Sequence, residues 1–465
     1  MTHLPIRLPF PAAARSLRRD AVLWLAGAAG VSLLCGLLVS AKPVPMLGLA
    51  GLVIATYGFL RYPLATVGAI LLVRASVPEM PQVTTLIAAA GGLALLLGRH
   101  QLRRRPYVLS FAALILLGAA SYSWSVSPTE TVQQSLRFTA LLVLLCTAIV
   151  ATKNPGDLMK LMACVLLGAV VPVAVGLIQL ANGDFREREG VLAIVGTFDF
   201  ANGYALFLSL ILVLGPITLM QVRRVPVRAA GTLALGLAGL CFFLTYSRIV
   251  WIGLVLAIAV LAVVQYRKLI VVAALGLLIV LVAMPSTAVT VQERFSDLSP
   301  SSADYRTNSL SWRLENWSRM APYGTEKPLV GWGLGSYKDL TLVEFGGVDK
   351  TWSDPPETPI SGPTGVSAHN DYVKLFVELG ILGVVLWLGT LVALCVALWR
   401  ARAHPKVRPW AGVMFAYMVA LVIMSIGDTQ QDYRAGMYYI LVAAGAVIGA
   451  ARAVPPVTRP LVRDA

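Results

Sequence analysis

The chain has 465 residues, of which 57% are hydrophobic and 13% charged, where soluble domains carry about 25% charged residues. Too few polar side chains are present to wet a globular surface, which excludes a cytosolic enzyme, a disordered tail and a secreted disulfide scaffold. With 38 Lys and Arg against 23 Asp and Glu the net charge is +15, and in a membrane protein such an excess reflects topology before it suggests nucleic acid.

A membrane-spanning helix needs about 20 mostly apolar residues. In chain order, the stretches that qualify or come close are Ala21–Ser40, Val44–Leu60, Pro63–Val77, Val83–Gly98, Tyr107–Trp124, Phe138–Thr152 and Leu158–Ala181. They continue with Tyr204–Met220, Ala229–Tyr246, Val250–Tyr266, Leu269–Met284, Tyr372–Trp399, Trp410–Gly427 and Arg434–Ala450. The third and fourth are short and rich in Gly and Ala, so the expected fold is an all-α polytopic bundle of 12–14 spans. Arg15, Arg18 and Arg19 precede the first stretch like the start of a signal peptide, but its length and the spans that follow predict an uncleaved helix.

Placing the amino terminus in the cytoplasm puts the Arg103–Arg105, Arg223/Arg224 and Arg400/Arg402 clusters inside, with both termini cytoplasmic. Two long segments then lie outside, Asn182 to Gly203 and Pro285 to about Asn370. The expected organisation is an amino-terminal bundle over 1–284, a large outer loop over 285–371 carrying short helices, and carboxy-terminal helices over 372–465. Cys35, Cys146, Cys164, Cys241 and Cys395 all sit in apolar runs without a CxxC pair, so neither a disulfide framework nor a zinc site is expected.

Polar residues on the outer side carry the chemistry. His3, His100 and His404 fall inside, and His369 alone falls outside. Imidazole is the side chain suited to take a proton from a hydroxyl near neutrality; the competing reading is that the sequence around it merely starts a helix, with Asn370 or Asp371 as its cap. Arg248, between two apolar spans, runs against the charge rule and is either a phosphate ligand or a turn arginine reaching the headgroups. The outer loop interleaves Arg313 and Arg319 with Trp312, Asn316 and Trp317, a set suited to phosphate and sugar or to a helix packed by its tryptophans. Gly331-Trp-Gly-Leu-Gly335 lacks the strand and Lys-Ser/Thr of a nucleotide loop and predicts a tight glycine turn. Arg186 and Arg188 alternate with acids, as solvated loops do. Lys374 and Glu378 are spaced to pair on one helix face, Gly380 and Gly383 to admit a neighbouring helix, and Arg74 is nearly the only other charge within a span.

In this order the residues resemble a known family. His369-Asn370, nine residues, then Gly380-Ile-Leu-Gly383 is similar to the His-Asn-x9-Gly-x-x-Gly pattern of the O-antigen ligase and polymerase superfamily. Tyr246-Ser-Arg248 resembles that family's Ser-Arg turn, and Arg313-x3-Trp317 followed by Pro328-Leu-Val-Gly331-x-Gly333-x-Gly335 resembles the start of its periplasmic loop. The resemblance implies an inner-membrane enzyme that moves a polysaccharide from undecaprenyl diphosphate to a sugar hydroxyl of lipid A–core on the periplasmic face, with no cofactor, metal or nucleic acid. Such chemistry needs cations on the leaving diphosphate, for which Arg248 and Arg313 are expected, and a base for the acceptor hydroxyl, for which His369 is expected. Arg319, Arg186, Arg188, Tyr246, Trp317 and Asn370 are expected substrate contacts, with Trp312 a further surface for stacking on sugars. Repeat-unit polymerase and protein O-glycan ligase are relatives that the motifs do not separate. A secondary transporter is the alternative from another class, disfavoured by the absence of an inverted repeat and of midplane charges.

Overall fold

Proline opens much of this fold. It has no N–H to waste at the start of a helix, and its fixed φ suits the first turn. The computed structural model describes residues 43–77, 81–97, 105–188, 191–282, 309–345 and 365–453. Within them α1 (Pro43–Arg61), α2 (Pro63–Arg74), α3 (Pro81–Leu97), α4 (Pro106–Ala120), α5 (Pro128–Ala151) and α6 (Pro155–Leu167) all begin on proline. After α7 (Val170–Asn182) comes a hairpin of β1 (Arg186–Arg188) and β2 (Val191–Ala193), in which Arg186 pairs with Ala193. Then follow α8 (Ala201–Met220), α9 (Val225–Phe243), α10 (Arg248–Val264), α11 (Leu269–Val282), α12 (Ser309–Glu326) and α13 (Tyr337–Phe345). The last three are α14 (Asp371–Ala401), α15 (Arg408–Gly427) and α16 (Arg434–Ala453). The predicted span Ala21–Ser40, with Cys35, His3, His100 and the loop stretches 283–308 and 346–364, lies outside the described residues.

Every other predicted apolar stretch overlaps a helix. Among the described residues eight helices, counting α6 and α7 as one, are long and apolar enough to cross a bilayer. The protein is a multi-pass, all-α membrane protein. One expected span differs in shape: Leu158–Ala181 breaks after Leu167 into α6 and α7. Pro172 explains the break, because its ring collides with the carbonyl four residues back, at Gly168, and it has no N–H to return.

The core centres on α16, which is buried along almost its whole length and packs most closely on α5. Small residues allow this approach. A Cβ on Gly445 would lie 2.7 Å from the Leu145 carbonyl oxygen, and one on Gly449 would overlap that of Ile149. Peripheral helices show the opposite pattern, with Leu233, Val263 and Ile270 more than half exposed, as a lipid-facing surface requires.

At one end of the bundle, α12 and α13 form a small second core of Met320, Tyr337, Leu340, Ala368 and Val377. Its cause lies in α14, which is not one continuous helix. Gly380 adopts φ 63° and ψ −164° and breaks the helix, and the glycine turn fills the gap. The Trp332 N–H donates to Val377 O at 3.0 Å, Gly333 N–H to Glu378 O at 2.8 Å and Ile381 N–H to Pro328 O at 2.8 Å. Gly331, Gly333 and Gly335 all have positive φ, so this is the expected glycine turn, and its hydrogen bonds go to protein backbone. Two expectations are corrected here. Gly380 admits a loop rather than a neighbouring helix. Lys374 does not hydrogen-bond Glu378: its Nζ donates to Asp432 Oδ1 at 2.6 Å, while Glu378 Oε1 accepts the Tyr337 N–H at 3.3 Å. The turn draws the Glu378 carboxylate towards its own N–H groups, leaving Lys374 to the α15–α16 connection.

Candidate active site

His369 stands immediately before α14. Asn370 caps that helix, its Oδ1 accepting the N–H groups of Tyr372 at 2.9 Å and Val373 at 3.0 Å, so the carboxamide oxygen expected to meet substrate is committed to the helix start. His369 itself has φ +46°, a left-handed conformation that costs a residue with a Cβ about 1–2 kcal/mol and therefore needs outside support. Helix α12 supplies it. Trp317 Nε1 donates to the Ala368 carbonyl at 2.7 Å, and Asn316 Nδ2 donates to the Ser367 carbonyl at 3.1 Å. The Tyr337 hydroxyl donates in turn to Asn316 Oδ1 at 3.1 Å. Trp317, expected on a sugar, has its indole N–H turned to the histidine loop. Trp312 lies edge-on to the imidazole, with ring centroids 5.8 Å apart.

The deciding feature is absent from the sequence reading. His369 Nδ1 lies 2.9 Å from Asp428 Oδ1, with the imidazole 28% exposed and the carboxylate fully buried. Asp428 follows the last residue of α15. Its Oδ1 also accepts the Thr429 N–H at 2.9 Å, and its Oδ2 accepts Asn202 Nδ2 at 2.5 Å and the Tyr433 hydroxyl at 2.7 Å. Burial by itself would raise this carboxyl. The hydrogen bond and charge of His369, the nearby Arg313 and the Tyr433 hydroxyl outweigh it and hold Asp428 well below the usual carboxylate range. An ionised carboxylate can only accept, so the neutral form of His369 carries its ring proton on Nδ1, which leaves on Nε2 the lone pair that a base needs.

Arg313 joins this group: its Nη1 donates to the Gly427 carbonyl at 2.9 Å, one residue before Asp428. The Tyr246–Arg248 turn joins it from another side. Tyr246 has φ +49°, and its ring lies tilted beside the stacked pair of Phe243 and Trp251, 6.3 Å from each. The Ser247 hydroxyl donates to Asn202 Oδ1 at 2.5 Å, and Arg248 opens α10 half-buried. Three expected residues are placed elsewhere or left undescribed. Arg319 lies 2.8 Å from Glu315 Oε1 and over the Phe345 ring. Arg186 donates to the Asp199 carbonyl, and Asp199 lines a cleft together with Arg74, Thr197, Asp432 and Tyr433. The Arg188 side chain lies outside the described residues.

Residues 233–388 match the family described as O-antigen ligase. Over this segment the chain is similar to the O-antigen ligase and polymerase superfamily. The matched segment runs from α9 into α14 and contains Arg248, Arg313, His369, the glycine turn and Gly380. No curated protein matches the chain significantly. Asp428, Asn202 and Tyr433 all lie outside the matched segment, so the histidine motif and its carboxylate partner come from different parts of the chain. A signal for Asp428 was present in the sequence. Asp428-Thr-Gln-Gln-Asp-Tyr433 is a run of acids and amides crowded into the short connection between the last two spans.

Proposed function

We propose that this protein transfers a polysaccharide from undecaprenyl diphosphate to a sugar hydroxyl of lipid A–core on the periplasmic face of the inner membrane. The His369–Asp428 pair carries the proposal, because it makes one ring nitrogen basic and aims it, as deprotonation of a hydroxyl requires. The acceptor oxygen attacks the anomeric carbon as His369 Nε2 takes its proton. The bond from that carbon to the diphosphate oxygen breaks, its electron pair leaves on the phosphate, and undecaprenyl diphosphate is released. A single in-line displacement inverts the anomeric centre. Negative charge grows on the leaving oxygen, and Arg313 and Arg248 are assigned to it, where preplaced cations act most strongly. Arg319 and Arg186, already tied to Glu315 and to the Asp199 carbonyl, are left out of the diphosphate set.

Reconstituted protein, given purified lipid-linked glycan and rough lipopolysaccharide in the presence of a chelator, is expected to form the joined product. His369→Ala should lower the rate by about 10²–10⁴-fold, the usual contribution of a positioned base. No transfer by wild type, or undiminished transfer by His369→Ala, sinks the proposal. A deletion strain separates the relatives: polymer stranded on the lipid carrier marks the ligase, single repeat units on core a polymerase, and unchanged lipopolysaccharide a protein ligase. Solute flux in proteoliposomes would instead mark a transporter.

A further inference from the structure

We propose that Asn202 is a positioning residue that joins the Tyr246–Arg248 turn to the His369–Asp428 pair, so that one carboxamide sets the phosphate-binding arginine and the base relative to each other. The inference rests on the functional reading above and adds to it a residue outside the ligase motifs.

Asn202 is the second residue of α8 and only 4% exposed, in a helix whose neighbouring positions are all buried. A buried amide there is costly unless both its ends are satisfied. It is not a helix cap, since the cap position of α8 is Phe200 and no side chain bonds there. Its orientation follows from chemistry. Asp428 is ionised and only accepts, so it must face Nδ2, at 2.5 Å; Oδ1 must then face the Ser247 hydroxyl, also at 2.5 Å. Ser247 is itself fully buried and directly precedes Arg248. The turn it belongs to contains Tyr246 at φ +49°, a conformation that persists only when surroundings over-determine it. Asn202 therefore ties the start of α8, the start of α10 and the end of α15 in one chain of hydrogen bonds that ends on the imidazole. The titratable and charged groups facing Asp428 are His369 from the loop before α14, Arg313 from α12 and Tyr433 from the α15–α16 connection.

The test compares Asn202→Ala and Asn202→Asp with wild type, by single-turnover transfer from lipid-linked glycan to rough lipopolysaccharide across pH, on protein checked for an unchanged unfolding midpoint. Asn202→Ala should lose about 100-fold at every pH, the scale of an ångström-sized misplacement of reacting groups. Asn202→Asp places two carboxylates in contact, and one of them then titrates far above its ordinary range. While that proton is retained, the introduced carboxyl donates to Asp428 as the amide did, and the rate should stay near wild type. Above that pKa both carboxylates are charged and repel, and the ratio of variant to wild-type rate should fall about tenfold per pH unit. A residue that only packed would show no such rescue at low pH. Asn202→Asp following Asn202→Ala at every pH, or either variant matching wild type throughout, overturns the inference while an active wild type and an inactive His369→Ala leave the functional reading standing. An inactive wild type overturns that reading and this inference with it.

Discussion

Replacing Asp428 by asparagine is expected to lower transfer by about 10²–10⁴-fold, the range spanned by loss of a general base and by a histidine held in the wrong tautomer. The two carboxylate oxygens accept four hydrogen bonds, from His369, Thr429, Asn202 and Tyr433. Asparagine offers one acceptor and one donor in their place. With its amide nitrogen towards His369, the ring proton moves to Nε2 and the base is lost. With its oxygen towards His369, two amide nitrogens face each other where Asn202 now meets the carboxylate. Neither orientation preserves the site. Single-turnover rates on protein of unchanged helicity give the measurement, and a rate within a few-fold of wild type would remove Asp428 from the mechanism.

The same carboxylate carries a stability effect of definite sign. Its folded pKa lies below the ordinary value of about 3.9. It therefore stabilises the folded protein fully above that unfolded value, and the contribution fades as pH falls through the lower folded value. The destabilisation caused by Asp428→Asn should accordingly shrink in strong acid, as urea unfolding of the two proteins in detergent would show.

Gly380→Ala is the substitution expected to cost most in stability. The position combines a left-handed φ of 63° with contact to backbone: an added Cβ would overlap both the carbonyl carbon and the carbonyl oxygen of Leu329. Alanine in this essentially glycine-only conformation costs about 1–3 kcal/mol and forced overlap about 1–3 kcal/mol more, and the main chain it meets has no rotamer to relieve it. The glycine turn would have to withdraw, carrying α13 and the support for Tyr337, Asn316 and the histidine loop. Thermal unfolding in detergent should show a drop of several degrees together with loss of transfer. Gly236→Ala is the control, because nothing lies within 4 Å of a Cβ there and α9 should tolerate or welcome it. Equal midpoints for the two variants would refute this account of the break.

Most of the fold was legible because lipid imposes a local rule: each span must satisfy its own backbone, so length and apolarity mark it residue by residue. The start of α14 was legible for a similar reason, since the Asn370 cap acts within one turn. The break between α6 and α7 has a local cause in Pro172, but length and apolarity alone predicted one unbroken span there. Helical spacing brings Lys374 and Glu378 to one face but did not identify the hydrogen-bond partner of Lys374, because Asp432 stands on another element. On the site, sequence by itself determined that one histidine and a few arginines deserved notice, and that the glycines formed a turn rather than a phosphate cradle. Only the tertiary structure decided what those residues face. It turned the Trp317 indole N–H towards the loop that presents His369. It also brought Asp428 to that histidine across 59 residues of chain and Asn202 to Asp428 across 226. Helix packing, not spacing, makes such contacts, and a single sequence carries no local trace of which buried polar groups will meet.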